Sequence, residues 1–313
     1  MKKVLVCGSL SFDYIMNFND KFKNHILPDK IHMLNVCFGA EKLSKEFGGT
    51  AGNIAYNLNL LGVEPIIFAT AGKDFADYKL WLAKNKIKAN YINCHKKDYT
   101  ASCYVIADLD DNQITIFHGG AMLHNHLSLK KIVKKEKTEL AICAPDCHKG
   151  MLLHTKELQD MKIPYIFDPG QGIGGYTGDE LSKMAKGSLC TILNDYEFSV
   201  FLQKTKLTKQ QILNLTKYLI ITLGPKGSEI YFNNKKYTIP IAKPKKVLDP
   251  TGAGDAYRAG LVFGLLNNFE ADKMGKVGAC ASAYTVEKYG TQTHSFTLNN
   301  FKTRFNKNFK EKI

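Results

Sequence analysis

LDPTGAGDAYRAG, residues 248–260, is where small flexible residues give way to a carboxylate and then to an apolar run of helical period. Gly252, Ala253 and Gly254 leave backbone N–H groups uncrowded at the start of a helix, where orphan donors and the positive end of the dipole favour an anion. A phosphate fits there. Asp255 follows in the first turn, within reach of anything held by those amides, which is where a base must stand to take a proton from an attacking hydroxyl. Alone, the stretch reads equally well as a tight glycine turn with Asp255 capping the helix.

Around it, strands alternate with helices. KKVLVCGSL (2–10), EPIIFATAG (64–72), LAICAP (140–145) and PYIFDPG (164–170) are continuous apolar runs of the kind buried on both faces of a parallel sheet, and helical patterns separate them. The expected fold class is therefore α/β, with ligands at the C-terminal strand ends. Three further segments, 11–18, 31–47 and 98–118, read as pieces of a small half-exposed sheet inserted as a lid; KIHMLNVCFG (30–39) alternates like one of its strands, and 100–117 like a hairpin turning at Asp110-Asp111-Asn112. One domain spanning 1–313 with this lid is the expected organisation.

Composition narrows the class. With 44% apolar and 23% charged residues over 313 positions, the chain matches an ordinary globular protein. The N-terminus begins like a signal peptide, but Gly8, Ser9 and Asp13 break its apolar run, and no other stretch approaches a membrane span, so a cytoplasmic location is expected. Eight cysteines without a CxxC pair read as free thiols; Cys143, Asp146, Cys147 and His148 lack the second ligand pair a zinc site needs. The +14 net charge is spread along the chain rather than massed with aromatics, which argues against a nucleic-acid partner and for solvated helix faces such as KTRFNKNFKEK.

Other candidates have two readings each. In GGTAGNIAYNLNLLG (48–62), Gly49 lets a ligand approach and Asn53 offers a donor and an acceptor, or the stretch is a capped helix entry. Asn194 and Glu197, spaced i, i+3, could hold Mg²⁺ through water or form a capping box. Thr222, Gly224 and Gly227 in TLGPKG could line a nucleotide or be turn residues. Asp13, on a strand leaving the core, is a solvated carboxylate or a ligand.

GGTAGN, NDYE, TLGPKG and DPTGAGDAYRAG, in that order, resemble the PfkB (ribokinase-like) family of sugar and nucleoside kinases across nearly the whole chain. GSLSFDYIM, FKNHILPDKIHMLNV, FHGGAM, LNDYEF and EKYGTQ look like its bacterial adenosine kinase branch. The resemblance implies a Rossmann-like three-layer α/β/α core with a β lid, and ATP-dependent phosphorylation of the 5′-hydroxyl of a nucleoside, adenosine first. It makes Asp255 the base, gives the γ-phosphate to the amides of Gly252, Ala253 and Gly254, and gives the ribose diol to Asp13, Gly49 and Asn53. Ser9, Phe117, Met122 and Gln171 would line the nucleoside pocket. Asn194 and Glu197 would organise Mg²⁺ and phosphates, Thr222, Gly224 and Gly227 would contact ATP, and Asp249, Thr251 and Gly290 would flank a K⁺ ion. Arg258 would pair with phosphate or with a nearby carboxylate. Gly172 stands where this branch often has glutamine, so the contact to the base is thinner. A sugar kinase of the same fold and a non-catalytic sugar or nucleoside sensor are the alternatives. Open lid edges suggest a homodimer joined through the lid.

Overall fold

The structure, a computed structural model, describes residues 2–110 and 112–313. The chain begins with strand β1 (Lys3–Cys7), then β2 (Ser11–Phe18) and β3 (Ala40–Gly48), before helix α1 (Thr50–Leu60). Strand β4 (Glu64–Gly72), helix α2 (Ala76–Lys84) and strand β5 (Tyr91–His95) lead into the hairpin β6 (Ala101–Ala107) and β7 (Gln113–His118). A run of helix and strand follows: α3 (Lys130–Glu136), β8 (Leu140–Cys143), α4 (His148–Asp160), β9 (Tyr165–Phe167), α5 (Gly178–Ala185), β10 (Ser188–Asn194) and α6 (Asp195–Thr205). After α7 (Lys209–Leu213) come β11 (Thr216–Thr222), β12 (Ser228–Phe232) and β13 (Lys235–Ile239), and then α8 (Ala253–Leu266), α9 (Ala271–Thr285) and α10 (Leu298–Phe309).

Nine of these strands form one sheet in the order β13-β12-β11-β10-β9-β8-β1-β4-β5, parallel except at β12 and β13. Burial on both faces explains the apolar runs. Val4 and Val6 join one core cluster, against α1, α8 and α9, while Leu5 and Cys7 join the other, against α4 to α7. Each fully buried Val or Leu contributes roughly 1.5–3 kcal/mol, and Val4, Leu5 and Val6 of β1 are all fully buried, so this strand anchors both layers. Gly260 of α8 meets the backbone of Gly278 of α9, where a Cβ would come within 2.7 Å of the Gly278 Cα, so small residues set that helix pair's close approach. In α10 the lysine-rich stretch is a solvated face only on one side, because Phe301 and Phe305 are fully buried.

The smaller sheet has the order β3-β2-β6-β7, antiparallel except for the parallel pair β2/β6. Its first strand differs from the sequence expectation. KIHMLNVCFG is not a strand; Pro28–Met33 is a 3₁₀ helix with Pro28 in its first turn, and pairing starts only at Ala40. Proline presets a helical φ and has no N–H for a ladder, and Ile31, Met33 and Leu34 project into solvent. The expected turn residue Asp111 lies outside the described residues.

Candidate active site

Parallel strands of the large sheet end on one side, and there the chain assembles Ser9, Asp13, Asn53 and Asp255 from four separate segments. The Ser9 N–H donates to the Pro145 carbonyl and Ala51 N–H to the Ser9 carbonyl, which ties β1 and β8 to the start of α1. Gly49 is the N-cap of α1 and Asn53 stands in its opening turn. Gly252, with φ of 77°, is the N-cap of α8, a left-handed conformation that non-glycine residues rarely adopt. Ala253, Gly254 and Asp255 form the first turn after it. One of the expected anion-binding donors is partly spent, since Ala253 N–H makes a long 3.2 Å bond to the Pro250 carbonyl.

Asp255 is held rather than free. Asn53 Nδ2 donates to Asp255 Oδ2 at 2.8 Å. The orientation of that amide is fixed from behind: Asn53 Oδ1 accepts from Gln292 Nε2 at 3.0 Å and from Thr291 Oγ1 at 2.7 Å. Gln292 Nε2 also donates to Tyr78 Oη at 2.7 Å, Gln292 Oε1 accepts from Trp81 Nε1 at 2.9 Å, and Tyr78 Oη donates to the Gly48 carbonyl at 2.7 Å. Gln292 and Asn53 are buried, and within this cluster each of their side-chain N and O atoms has a partner inside the protein, with one Asn53 N–H left over. Burial pushes the Asp255 carboxyl up to about 6, while the Arg258 charge and the Asn53 hydrogen bond pull it down. Gln292, Thr291, Tyr78 and Trp81 were not singled out in the sequence. The only signal was EKYGTQ, which places Gln292 beside the glycine turn at Gly290.

Arg258, expected to pair with phosphate or with a nearby carboxylate, is bonded to a carboxylate. Its Nε–H and Nη2–H both donate to Asp168, the latter at 2.8 Å, in a buried bidentate pair. Of its two sequence readings, the carboxylate partner holds. Arg258 Nη1 lies under the glycine turn, where a Cβ on Gly254 would come within 2.7 Å of it. Asp168, from the DPG at the end of β9, is the acidic residue sequence reasoning passed over.

On the other side, Asp13 accepts from Ser11 Oγ at 3.2 Å, and burial with the nearby Glu46 and Asp249 charges pushes its carboxyl up to about 6. Asp249 accepts from Thr251 N–H at 2.9 Å and from Gly290 N–H at 3.0 Å, so the three residues expected around K⁺ do meet. Glu46 stands beside Gly290, and burial and Asp249 raise its carboxyl as well. Asn194 and Glu197 form the capping box in full, each side chain bonded to the other's backbone N–H at 2.7 Å. That leaves Glu197 Oε1 outside the cap. Thr222 ends β11, and Gly224 and Gly227 form the turn after it with φ of 56° and 90°.

The small sheet carries Asp13 and Phe117 in one row. Asp13 pairs with Cys103 and Cys103 with Phe117, so Asp13 and Phe117 share a face two strand spacings apart, roughly 10 Å. Phe117 is exposed, Met122 half-buried in the 3₁₀ turn Gly120–His124, and Gln171 exposed in the turn after β9. Among the described residues none of the three is hydrogen-bonded to the Asp255 cluster through its side chain.

Known proteins share this fold. The family model described as pfkB family carbohydrate kinase matches residues 1–297. A nucleoside kinase of Methanocaldococcus jannaschii is 30% identical over 296 residues, 94% of this chain and 93% of its own. The structure of a Burkholderia thailandensis nucleoside kinase in complex with inosine superposes with a TM-score of 0.90 at 33% identity, over 99% of this chain and all of that one. The same enzyme in complex with ADP-inosine superposes with a TM-score of 0.87 at 36% identity, over 99% of this chain and 97% of that one. The α/β core with its smaller sheet is thus the ribokinase-like fold.

Proposed function

The chain belongs to the pfkB family of carbohydrate kinases, and from that membership we propose that it transfers the γ-phosphoryl group of ATP to the 5′-hydroxyl of a nucleoside, with adenosine as the first candidate. The observation that carries the reading is the Asp255 carboxylate, aimed by Asn53 in the first turn of α8 beside the glycine turn. Asp255 takes the proton of the 5′-hydroxyl as its oxygen bonds to the γ-phosphorus and the bond to the bridging β–γ oxygen breaks, releasing ADP. The helix N-terminus at Gly252 to Gly254 receives the charge spread over the transferring group. At the diol end Asp13 accepts from the ribose hydroxyls, and Asn53 still has its second N–H beyond the one given to Asp255. The roughly 10 Å row from Asp13 to Phe117 has the span of a ribose joined to a stacked base.

Thr222, Gly224 and Gly227 would border the ATP. Glu197, through Oε1, would hold Mg²⁺ by way of water; burial and the nearby Asp168 charge raise its carboxyl. Mg²⁺ supplies neutralisation of the phosphate charge when bound. Asp249, Thr251 and Gly290 would flank K⁺, whose charge would relieve the mutual repulsion of Asp249, Glu46 and Asp13.

Exposure of Phe117 and Gln171, with no side chain at Gly172, favours a second reading in which the acceptor is a bare sugar such as ribose or fructose. A phosphorylation screen with adenosine, inosine, ribose and fructose, with and without K⁺, separates the two. The nucleosides are expected to turn over at least tenfold faster, and faster with K⁺; sugar turnover far above both nucleosides reverses the reading.

We also propose that two copies pair through the small sheet. Tyr104 and Ile116 share the face opposite to Asp13 and are exposed, as is Leu43 on β3, and strands β3 and β7 are open edges. Light scattering at micromolar protein should give twice the chain mass of 35.1 kDa; a monomer removes the pairing and leaves the chemistry untouched.

A further inference from the structure

Away from Asp255, at the base of the β6–β7 arm, three metal-ligating side chains converge. His95 ends β5, Asp98 lies in the loop to β6, and His124 closes the 3₁₀ turn after β7. One ligand atom from each lies within 4.8 Å of the others. The His95 and His124 rings stack at 4.2 Å between centroids and 8° between planes. His124 Nε2 stands 3.3 Å from Asp98 Oδ2, and His95 Nδ1 3.6 Å from the same oxygen. Both separations exceed those of a good N–H···O bond. The 3.3 Å separation matches the edge of a tetrahedron of N and O ligands around zinc, where bonds of about 2.0–2.1 Å put neighbouring ligands about 3.3–3.4 Å apart; the 3.6 Å one is longer, and because imidazole ligates in its own plane, one of the two stacked rings turns for both to reach one ion.

The frame behind the cluster is tied down by backbone bonds. Asp98 accepts Lys73 N–H on its carbonyl at 2.9 Å, and Ala121 N–H donates to the Tyr99 carbonyl at 2.9 Å, so the loop and the 3₁₀ turn are already bonded to the core and to each other. All three side chains are about two-fifths exposed, open to an ion from solvent. Two imidazoles and one carboxylate suit a borderline transition metal rather than Mg²⁺ or K⁺.

We infer that His95, Asp98 and His124 form a site for a divalent transition-metal ion of the zinc type, which clips together the two ends of the β6–β7 arm. His95 is the last core residue before the arm leaves, and His124 follows its return, so the ion closes a loop that contains the whole hairpin. Such a clip restricts the arm by holding its ends together. The site is independent of the kinase reading, because its signature is metal binding rather than turnover.

Titration of the untagged full-length chain with Co²⁺, followed by its visible spectrum and by Zn²⁺ displacement, tests the inference. One equivalent is expected to bind with d–d bands of N/O ligation and no thiolate charge-transfer band, which excludes the exposed thiols of Cys37 and Cys94. Loss of an outer-shell partner alone costs about 10–100-fold in metal affinity, so His124→Ala and His95→Gln should each weaken binding at least tenfold, while Cys94→Ser leaves it unchanged. Because these side chains are half-exposed, thermal unfolding of each metal-free variant should match that of the metal-free parent. Zn²⁺ should also slow proteolysis within the arm of the parent chain. Failure of the parent chain to bind, unchanged affinity in both histidine variants, or a thiolate spectrum overturns the site.

Discussion

Asp255→Asn is expected to lower kcat by about 10²–10⁴-fold, the range for loss of a general base, while nucleoside binding stays measurable. The substitution keeps the shape of the side chain and an oxygen for Asn53 Nδ2. It removes only the capacity to take a proton. The same residue predicts the pH profile. Its carboxyl titrates at about 6, raised chiefly by burial, so kcat/KM of the parent should climb steeply as pH rises through about 6 and level off above it, whereas the variant keeps only the shallower limb of Asp13, which is also raised to about 6. Linkage gives an independent control. A carboxyl whose folded pKa is raised from 3.8 to about 6 stabilises the fold most below its unfolded value and loses that contribution as pH rises through 6. An amide escapes the loss, so at pH 8 the variant should unfold at the same or a higher temperature. A slow but equally stable enzyme places the defect in proton transfer. Near-normal kcat would remove Asp255 from the chemistry.

The α/β core could be read from β1, β4 and β8 because burial on both faces leaves continuous apolar runs, and the same runs carry Val4 and Val6 to one helical layer and Leu5 and Cys7 to the other. The first strand of the small sheet was misplaced by alternation alone. Leu34, Val36 and Phe38 make a period of two without a partner to pair with, whereas the true strand AEKLSKEFG is too charged for its period to stand out. The candidate site was legible as far as local sequence chemistry reaches. LDPTGAGDAYRAG announced a helix N-terminus with a carboxylate, and so it stands. What was hidden is the support behind it, since Tyr78 and Trp81 are distant in sequence and carry no motif, and Gln292, though it ends EKYGTQ, reads in sequence like any surface glutamine. Asn194 and Glu197 show the converse: the spacing named two roles, and the capping box is made in full without consuming Glu197 Oε1.

Asp168→Asn is expected to destabilise the fold by about 3–5 kcal/mol, because it leaves the Arg258 charge buried without its partner. For a chain of this size the unfolding midpoint should fall by about 6–10 °C. Burial by itself works against the charge of Arg258, and the Asp168 carboxylate more than offsets it. Removing both charges is a different matter. A buried pair replaced by apolar residues of similar volume is often neutral in stability, so Asp168→Leu combined with Arg258→Met should recover most of the lost midpoint. It should not recover the kinetics. Arg258 is the strongest charge holding the Asp255 carboxyl down, and its Nη1 underlies Gly254 in the turn that would receive the phosphoryl group. Without it the acidic limb of kcat/KM moves above 6 and kcat falls even where the fold is intact, whereas Arg258→Lys, which keeps the charge but not the bidentate fork, restores the limb in part. A double variant with parental stability, parental kcat and an unmoved limb would reduce the pair to a packing element and leave Asp255 tuned by burial and Asn53 alone.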